Sequence, residues 1–178
     1  MNKEIYLEKL KKFECPKWND LPDFEIYMDQ VIFFINDRLN DLYFDEDKKD
    51  KVITSNMVNN YVKNSLVHPP VKKHYKQYHL AFLIAVSILK RCFSLSEITN
   101  FIEIQQAMDA PSISSVYDSF SSCFDHYLHQ IILFGSIKEE FFHEESSKEQ
   151  ALMANIVKTV VFKIYTELEV IDFVKEKE

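Results

Sequence analysis

Between Ser55 and Lys76 the chain sets out Ser55, Asn56, Asn59, Asn60 and Lys63, then Lys72, Lys73 and Lys76, side chains that share the chemistry of hydrogen bonding and charge pairing with a polyanion. Asn can make paired hydrogen bonds to an adenine edge in a major groove, and Ser, Asn and Lys all contact phosphates. Asn is also a poor helix former, so Asn56, Asn59, Asn60 and Asn64 together cost a helix stability that Glu, Lys or Gln would have supplied. A solvated helix in an Asn-tolerant composition is the plainer alternative. The stretch lies in a run from Lys51 to Ser96 that has no Asp or Glu but carries Lys51, Lys63, Lys72, Lys73, Lys76, Lys90 and Arg91, a net charge of +7. The whole chain of 178 residues has 21 basic and 28 acidic residues and a net charge of −7, so everything outside this island stands at −14. Charge segregated in this way gives one face a job of its own, and its sign points to a nucleic-acid backbone.

A second group that could do chemistry is Cys123, Asp125, His126 and His129, in which His126 and His129 at i,i+3 share a helix face. With His143 and Glu144 they could begin a metal site, although ordinary helix residues are the simpler reading, and neither a metal nor a cofactor is expected. Glu139, Glu140, Glu144 and Glu145 read as a solvated charge run. No glycine-rich phosphate loop, nucleophile elbow or H-E-x-x-H is present, and one Gly in the chain makes a cradle of backbone amides hard to build. The chain is therefore not expected to be an enzyme. Its three cysteines, Cys15, Cys92 and Cys123, are far apart and lack C-x-x-C spacing, which suits reduced thiols in a cytoplasmic protein.

The elements that must position these groups are helical. Apolar residues are 47% and aromatics 14%, enough for a core, while one Gly and five Pro leave few of the turns that a many-stranded fold needs. The first residues, MNKEIYLEKLKKFE, have no apolar stretch of signal-peptide type, and the longest apolar run, near Leu80 to Leu89, is too short for a membrane span. The spacing predicts a short helix over 3–13 through Ile5, Leu7, Leu10 and Phe13. It predicts a longer one from Phe24 to Tyr43, with Asp23 as N-cap and Tyr27, Val31, Phe34, Ile35, Leu39 and Leu42 on one face. After the charged loop DEDKKDK, Thr54 or Ser55 caps a helix through Asn64 with Val58, Tyr61 and Val62 on one side. His68-Pro69-Pro70 cannot be helical, so an extended basic arm follows, which can form a small two-stranded wing. A helix over Gln77 to Cys92 is apolar nearly all round and must be enclosed. Capping boxes at Ser94–Glu97 and Ser146–Glu149 open two more helices, and Ser112 caps another that ends at Gly135. The last helix has Met153, Val157, Val160, Ile164, Leu168 and Ile171 on one stripe and Leu152, Ile156, Val161 and Phe162 opposite, too broad for a solvated lone helix.

The order of a short helix with Val58 and Tyr61, then Leu66-Val67, Pro69, a basic wing, a buried helix and Phe93-Ser94-Leu95-Ser96-Glu97-Ile98 resembles the DNA-binding head of MerR-type winged helix-turn-helix regulators. LPDFEIYMDQVIFF, TSNMVNNYVKN and PPVKKHYKQYHL look more closely like the motifs of an uncharacterised bacterial domain-of-unknown-function family, number eighteen thirty-six, itself regarded as related to those regulators. That resemblance covers roughly Leu21 to Ile102. The resemblance to the MerR-type pattern implies a recognition helix over Met57 to Lys63 with Val58 and Tyr61 packing inward, and a wing that includes Lys72, Lys73 and Tyr75. The chain departs from the MerR-type pattern in having Asn59 where a backbone-binding Arg is usual, Ser65 where Gly is usual, and a short wing.

The expected fold is mainly α: a MerR-like winged helix-turn-helix head with a small β wing over residues 1–108, and a C-terminal helical bundle or dimerisation region over 109–178. The expected function is DNA-binding transcription regulation, with Ser55, Asn56, Asn59, Asn60, Lys63, Lys72, Lys73, Tyr75 and Lys76 against double-stranded DNA and a homodimer formed through the C-terminal helices. The alternative is a non-catalytic interaction or self-associating module of the same fold that does not bind DNA. A small-molecule effector is a further possibility, and it requires an apolar cavity between the C-terminal helices. No membrane association is expected.

Overall fold

The computed structural model describes residues 3–44, 51–106, 112–143 and 145–175, with backbone alone at 106 and 173–175. The charged loop over 45–50, the expected division at 108–109 and Glu144 lie outside the described residues. The chain is mainly helical: α1 Lys3–Lys11, α2 Met28–Leu39, α3 Ser55–Lys63, α4 Gln77–Leu89, α5 Leu95–Gln106, α6 Ile113–Phe134 and α7 Lys148–Lys175. Among the described residues there is no strand, only the isolated bridges Ile26 to Tyr75 and Val71 to His74. No helix among them is long and apolar enough to cross a membrane.

Because α4 is apolar on every side, its neighbours must cover it, and α2, α6 and α7 all pack on it. Leu80, Leu83, Ile84, Val86 and Ile88 are buried, and truncating any of these side chains to Ala would cost about 2–5 kcal/mol. Its one buried hydroxyl is satisfied, since Ser87 Oγ donates to the Leu83 carbonyl at 2.7 Å. Past α4, the Arg91 guanidinium lies 4.5 Å from the Tyr43 ring centroid and pairs with Glu167 of α7. Tyr43 in turn donates to the Ser87 carbonyl at 3.1 Å. The end of α2, the end of α4 and the middle of α7 are thereby tied at one point.

α6 and α7 form the other half of the core. Tyr127 of α6 lies level with Lys158 of α7, 5.4 Å from ring to ammonium, and Gly135 at the end of α6 faces the Tyr165 hydroxyl farther along α7. The two helices therefore run in the same direction, and the connection over 136–147 has to travel back along α6. Polar side chains hold it there. Gln130 Oε1 accepts from the backbone of Lys138 at 2.6 Å and of Glu139 at 2.8 Å. The buried Tyr127 donates to Glu140 at 2.6 Å and accepts from Phe141 N–H at 3.0 Å. Gly135 ends α6 at φ 65, and a Cβ there would meet the Tyr165 hydroxyl at 3.2 Å, so Gly suits the position twice over.

α1 packs on α6 and α7, and the segment after it is laced to α6. Asp125 Oδ1 accepts from Cys15 N–H at 2.8 Å and its Oδ2 meets Lys17 Nζ at 2.5 Å. Tyr117 donates to the Pro16 carbonyl at 2.8 Å, and Asp118 accepts from Trp18 N–H at 2.6 Å.

Several expected boundaries shift, each for a local reason. α2 begins at Met28 rather than Phe24 and ends at Leu39, with a tighter turn over Asn40–Leu42, because Ile26 is spent on the bridge to Tyr75 and Tyr27 N–H is taken by Gln30 Oε1 at 2.9 Å. Asp23 therefore caps nothing. On α1 the inward face is Tyr6 and Leu10, while Ile5 points out at 55% exposure. The capping box of α7 is Ser147 with Gln150, whose reciprocal bonds are 3.0 and 3.2 Å, instead of Ser146 with Glu149. In SSKEQ both pairings have the right spacing, and the helix starting at Lys148 uses the second. The box at Ser94 and Glu97 forms as expected, with bonds of 2.7 and 3.3 Å. α4 ends at Leu89, and Lys90 to Cys92 turn out of it. The stripe of α7, from Met153 to Ile171, is buried within this one chain.

Two outcomes follow from these contacts. Burial pushes the Asp125 carboxyl up to about 6 against the pull of Lys17, so the folded chain holds a proton there that the unfolded chain releases near 3.8. Asp125 thus contributes stability that is full below about pH 3.8 and is lost as pH rises through about 6. In urea titrations the stability of the chain relative to Asp125→Asn should fall, by on the order of 2 kcal/mol, between those two pH values; a constant difference would contradict this. Ser65, at φ 59 just past α3, stands in a conformation that favours Gly. Ser65→Gly should raise the unfolding free energy by about 1 kcal/mol in the same assay, with no such gain for Ser65→Ala.

Candidate nucleic-acid interface

The polar helix α3 is built as its residues require. Thr54 Oγ1 accepts from Met57 N–H at 3.3 Å and caps it. Val58 and Tyr61 are buried, with Leu66 and Val67 just beyond, so the opposite side is left to solvent. Ser55, Asn56, Asn59, Asn60 and Lys63 are all exposed, and Asn56, Asn59, Asn60 and Lys63 form one stripe at i, i+3, i+4 and i+7. The asparagines are not equivalent. Asn64 Nδ2 donates to the Asn60 carbonyl at 2.8 Å and to Asn60 Oδ1 at 3.1 Å, so these two finish the helix. Asn56 and Asn59 make no side-chain hydrogen bond among the described residues. The helix closes with Ser65 N–H to the Val62 carbonyl and Leu66 N–H to the Tyr61 carbonyl, both at 3.0 Å, the paired bonds of a Schellman end.

The β wing is corrected to a single tight turn. His74 N–H donates to the Val71 carbonyl at 2.9 Å, and the two residues between, Lys72 at φ 50 and Lys73 at φ 67, are both left-handed, as at the tip of a type I′ hairpin. No ladder extends from it. Pro69 and Pro70 have no N–H to give to a strand, and Tyr75 pairs with Ile26 in both directions, at 3.0 and 2.8 Å. Such turns favour Asn and Gly, so two consecutive lysines there hold on the order of 1 kcal/mol of strain each. Both are exposed, and neither makes an ion pair among the described residues.

Tyr75 does not face outward. It is 3% exposed, its ring stands 5.4 Å from that of His79, and burial pushes its hydroxyl above the ordinary range. It anchors the turn to the core. Below it, Lys76 N–H donates to His79 Nδ1 at 2.8 Å, which requires that nitrogen to be unprotonated. Burial likewise holds the fully enclosed His79 below its ordinary pKa, in its neutral form. Lys76 is exposed, with Glu25 at 3.6 Å, a half-exposed pair that offers little resistance to a competing anion.

Of the other basic residues in the island, Lys51 and Lys90 are exposed, while Arg91 is committed to Glu167 and Tyr43. The surface beside the turn has members that sequence reasoning assigned elsewhere. Tyr27, 53% exposed, lies tilted on His74 with centroids 4.5 Å apart, and Phe24 and Val71 are also exposed. Helical spacing puts Tyr27 on the inward face of α2, and its position before the helix start turns it out.

The side chains of the second group are occupied with the fold. His126 Nε2 is 2.9 Å from the Glu139 carbonyl, His129 Nε2 is 2.8 Å from the Phe13 carbonyl, Asp125 holds Cys15 and Lys17, and Cys123 is buried. Among the described residues no three His, Cys, Asp or Glu side chains converge on a point where a metal could sit.

A family model described as Domain of unknown function (DUF1836) matches residues 16–120, from the segment after α1 into the first part of α6. No curated protein and no solved structure matches the chain. The matched span reaches past both ends of the Leu21 to Ile102 resemblance and takes in α2 to α5, the lysine turn and the Asn-rich helix. It covers more than half of the chain, and the protein belongs to the DUF1836 family.

Proposed function

We propose that the protein is a non-catalytic, DNA-binding transcription regulator related to the MerR-type winged helix-turn-helix proteins. In this reading the stripe of α3 enters a groove of duplex DNA, with Asn56 and Asn59 at base edges and Ser55, Asn60 and Lys63 at its margins. Lys72, Lys73 and Lys76 lie on phosphates. The observation that carries it is the turn over 71–74, where two adjacent lysines are kept exposed in a strained conformation that Gly or Asn would adopt without cost. Solubility alone would not retain that strain, whereas an anion waiting at the tip would. The burial of the α7 stripe leaves Phe162 and Val170 as the large exposed apolar residues of that helix, among the described side chains, for a homodimer contact. The cytoplasm is the compartment that fits this role.

A second reading has its own support. Phe24, Tyr27 and Val71 are exposed beside the turn, and Lys76 already has Glu25 as a partner. An aromatic and basic surface of this kind also suits an acidic protein partner.

Fluorescence anisotropy with labelled duplex DNA separates the two. Binding should be measurable at low salt and weaken steeply as salt is added, because each neutralised phosphate releases counterion. The variant Lys72→Gly/Lys73→Gly should be more stable than the parent, yet bind DNA about tenfold or more weakly and with a shallower salt slope, by roughly 2 in log–log units. No binding at low salt, or binding unchanged in this variant, would sink the proposal. Salt-sensitive self-association in sedimentation, indifferent to DNA, would favour the second reading.

A further inference from the structure

We propose that the half-open pocket between α4, α5, α6 and α7 is a binding site for one small, uncharged, apolar molecule that carries a single hydrogen-bond donor. The hollow measures about 380 Å³ and lies away from the surface of α3 and the lysine turn, so it stands or falls independently of the DNA reading. Its origin is legible in α4. Most of this helix fills its surroundings with large apolar side chains, but toward the pocket it presents Ala81 and Ala85, one turn apart, between Phe82 and Leu89. Protein interiors are packed to crystal density, whereas here no side chain among the described residues fills a half-open apolar hollow between four helices. It falls in the range of small-molecule sites.

The lining selects the ligand class. Among the described residues it contains no Asp, Glu, Lys or Arg, so a charged group would find no partner there, at a high desolvation cost. Phe101, Val116 and Met153 supply apolar wall from three helices. Of the polar groups, the Tyr117 hydroxyl is spent on the Pro16 carbonyl at 2.8 Å, and Ser112 Oγ caps α6 by accepting from Ser115 N–H at 3.2 Å. Gln105 differs. Its Nε2 donates to the Glu149 carbonyl at 3.2 Å, which fixes the amide and leaves Oε1 without a hydrogen-bond partner among the described residues. This half-buried acceptor is open to one O–H or N–H on an otherwise apolar body. A helix from a partner protein does not fit, since a single turn, roughly 5.4 Å long and 10 Å wide, already displaces more than this volume.

N-phenyl-1-naphthylamine, neutral, apolar and equipped with one N–H, is the probe. Added to the full chain, it should show saturable fluorescence enhancement with one site per chain. Filling the pocket from opposite walls, by Ala85→Phe or by Val116→Trp, should weaken binding by about tenfold or more, and Gln105→Leu should weaken it by about fivefold. In the parent chain with methyl-labelled methionines, the probe should shift Met153 and leave Met28 and Met57 in place. A titration that does not saturate would overturn the site, as would shifts at Met28 or Met57 without Met153, or folded pocket-filled variants that bind like the parent. A Met153 signal that moves with protein concentration before any probe is added would assign the pocket to a second copy and overturn it equally. Should the filled variants fail to fold, the Met153 shift in the parent decides.

Discussion

A helix such as α4, with apolar side chains around its whole circumference, has no face that water tolerates, so other elements must be brought to it from several directions. α2, α6 and α7 meet that demand. Because α3 and the lysine turn immediately precede α4, they are carried on its supports. His79, in the first turn of α4, accepts Lys76 N–H and packs against the Tyr75 ring, and Tyr75 is bridged to Ile26 ahead of α2. The position of the basic tip is thus set from underneath by buried groups. Its own backbone supplies only one hydrogen bond across the turn.

Buried polar groups at the other end of the molecule do a different job. α6 and α7 run in the same direction, so the segment between them must return along the bundle, and a return path carries backbone amides that no regular ladder satisfies. Gln130, His126 and Tyr127 provide for them, one residue or two at a time. Asp125 and Asp118 do the same for the segment that follows α1. A cluster that looks like the beginning of a metal site in one dimension is, in three, a set of clasps for two irregular segments. The physical difference is where the ring nitrogens and carboxylate oxygens point, which spacing along a helix does not decide.

Strain in this chain is concentrated around the proposed interface. Among the described residues, the non-glycine positions with positive φ are Ser65, Lys72 and Lys73, one closing α3 and two forming the turn. A sequence selected for stability alone would place Gly or Asn at such sites. Local rules broken without compensation inside the fold are what a functional surface leaves behind, and this is why the lysines of the turn weigh more in the reading than the asparagines, two of which serve the end of α3.

Much of the architecture could be read from residue order, and particular residues show how far that reaches. Val58 and Tyr61, Leu80 to Ile88 and the α7 stripe are where periodicity puts them, because a helix needs only its own spacing to define an apolar face. Thr54, Ser94, Ser112 and Gly135 are local stop and start signals and act within a turn of themselves. Where two local choices were equally good, as in SSKEQ, order could not choose. Contacts between distant positions decided the rest. Ile26 is drawn out of a helix by Tyr75, Tyr27 turns outward with it, and the proline pair leaves a wing with no strands. The direction of α7 relative to α6, and the hollow opposite Ala81 and Ala85, exist only once four helices are assembled. Residue order thus sets which faces are apolar, where most helices begin and end, and where charge is segregated. Which faces meet, which polar groups are used up in holding them, and which remain free to bind are settled on assembly, because those are properties of pairs far apart in the chain.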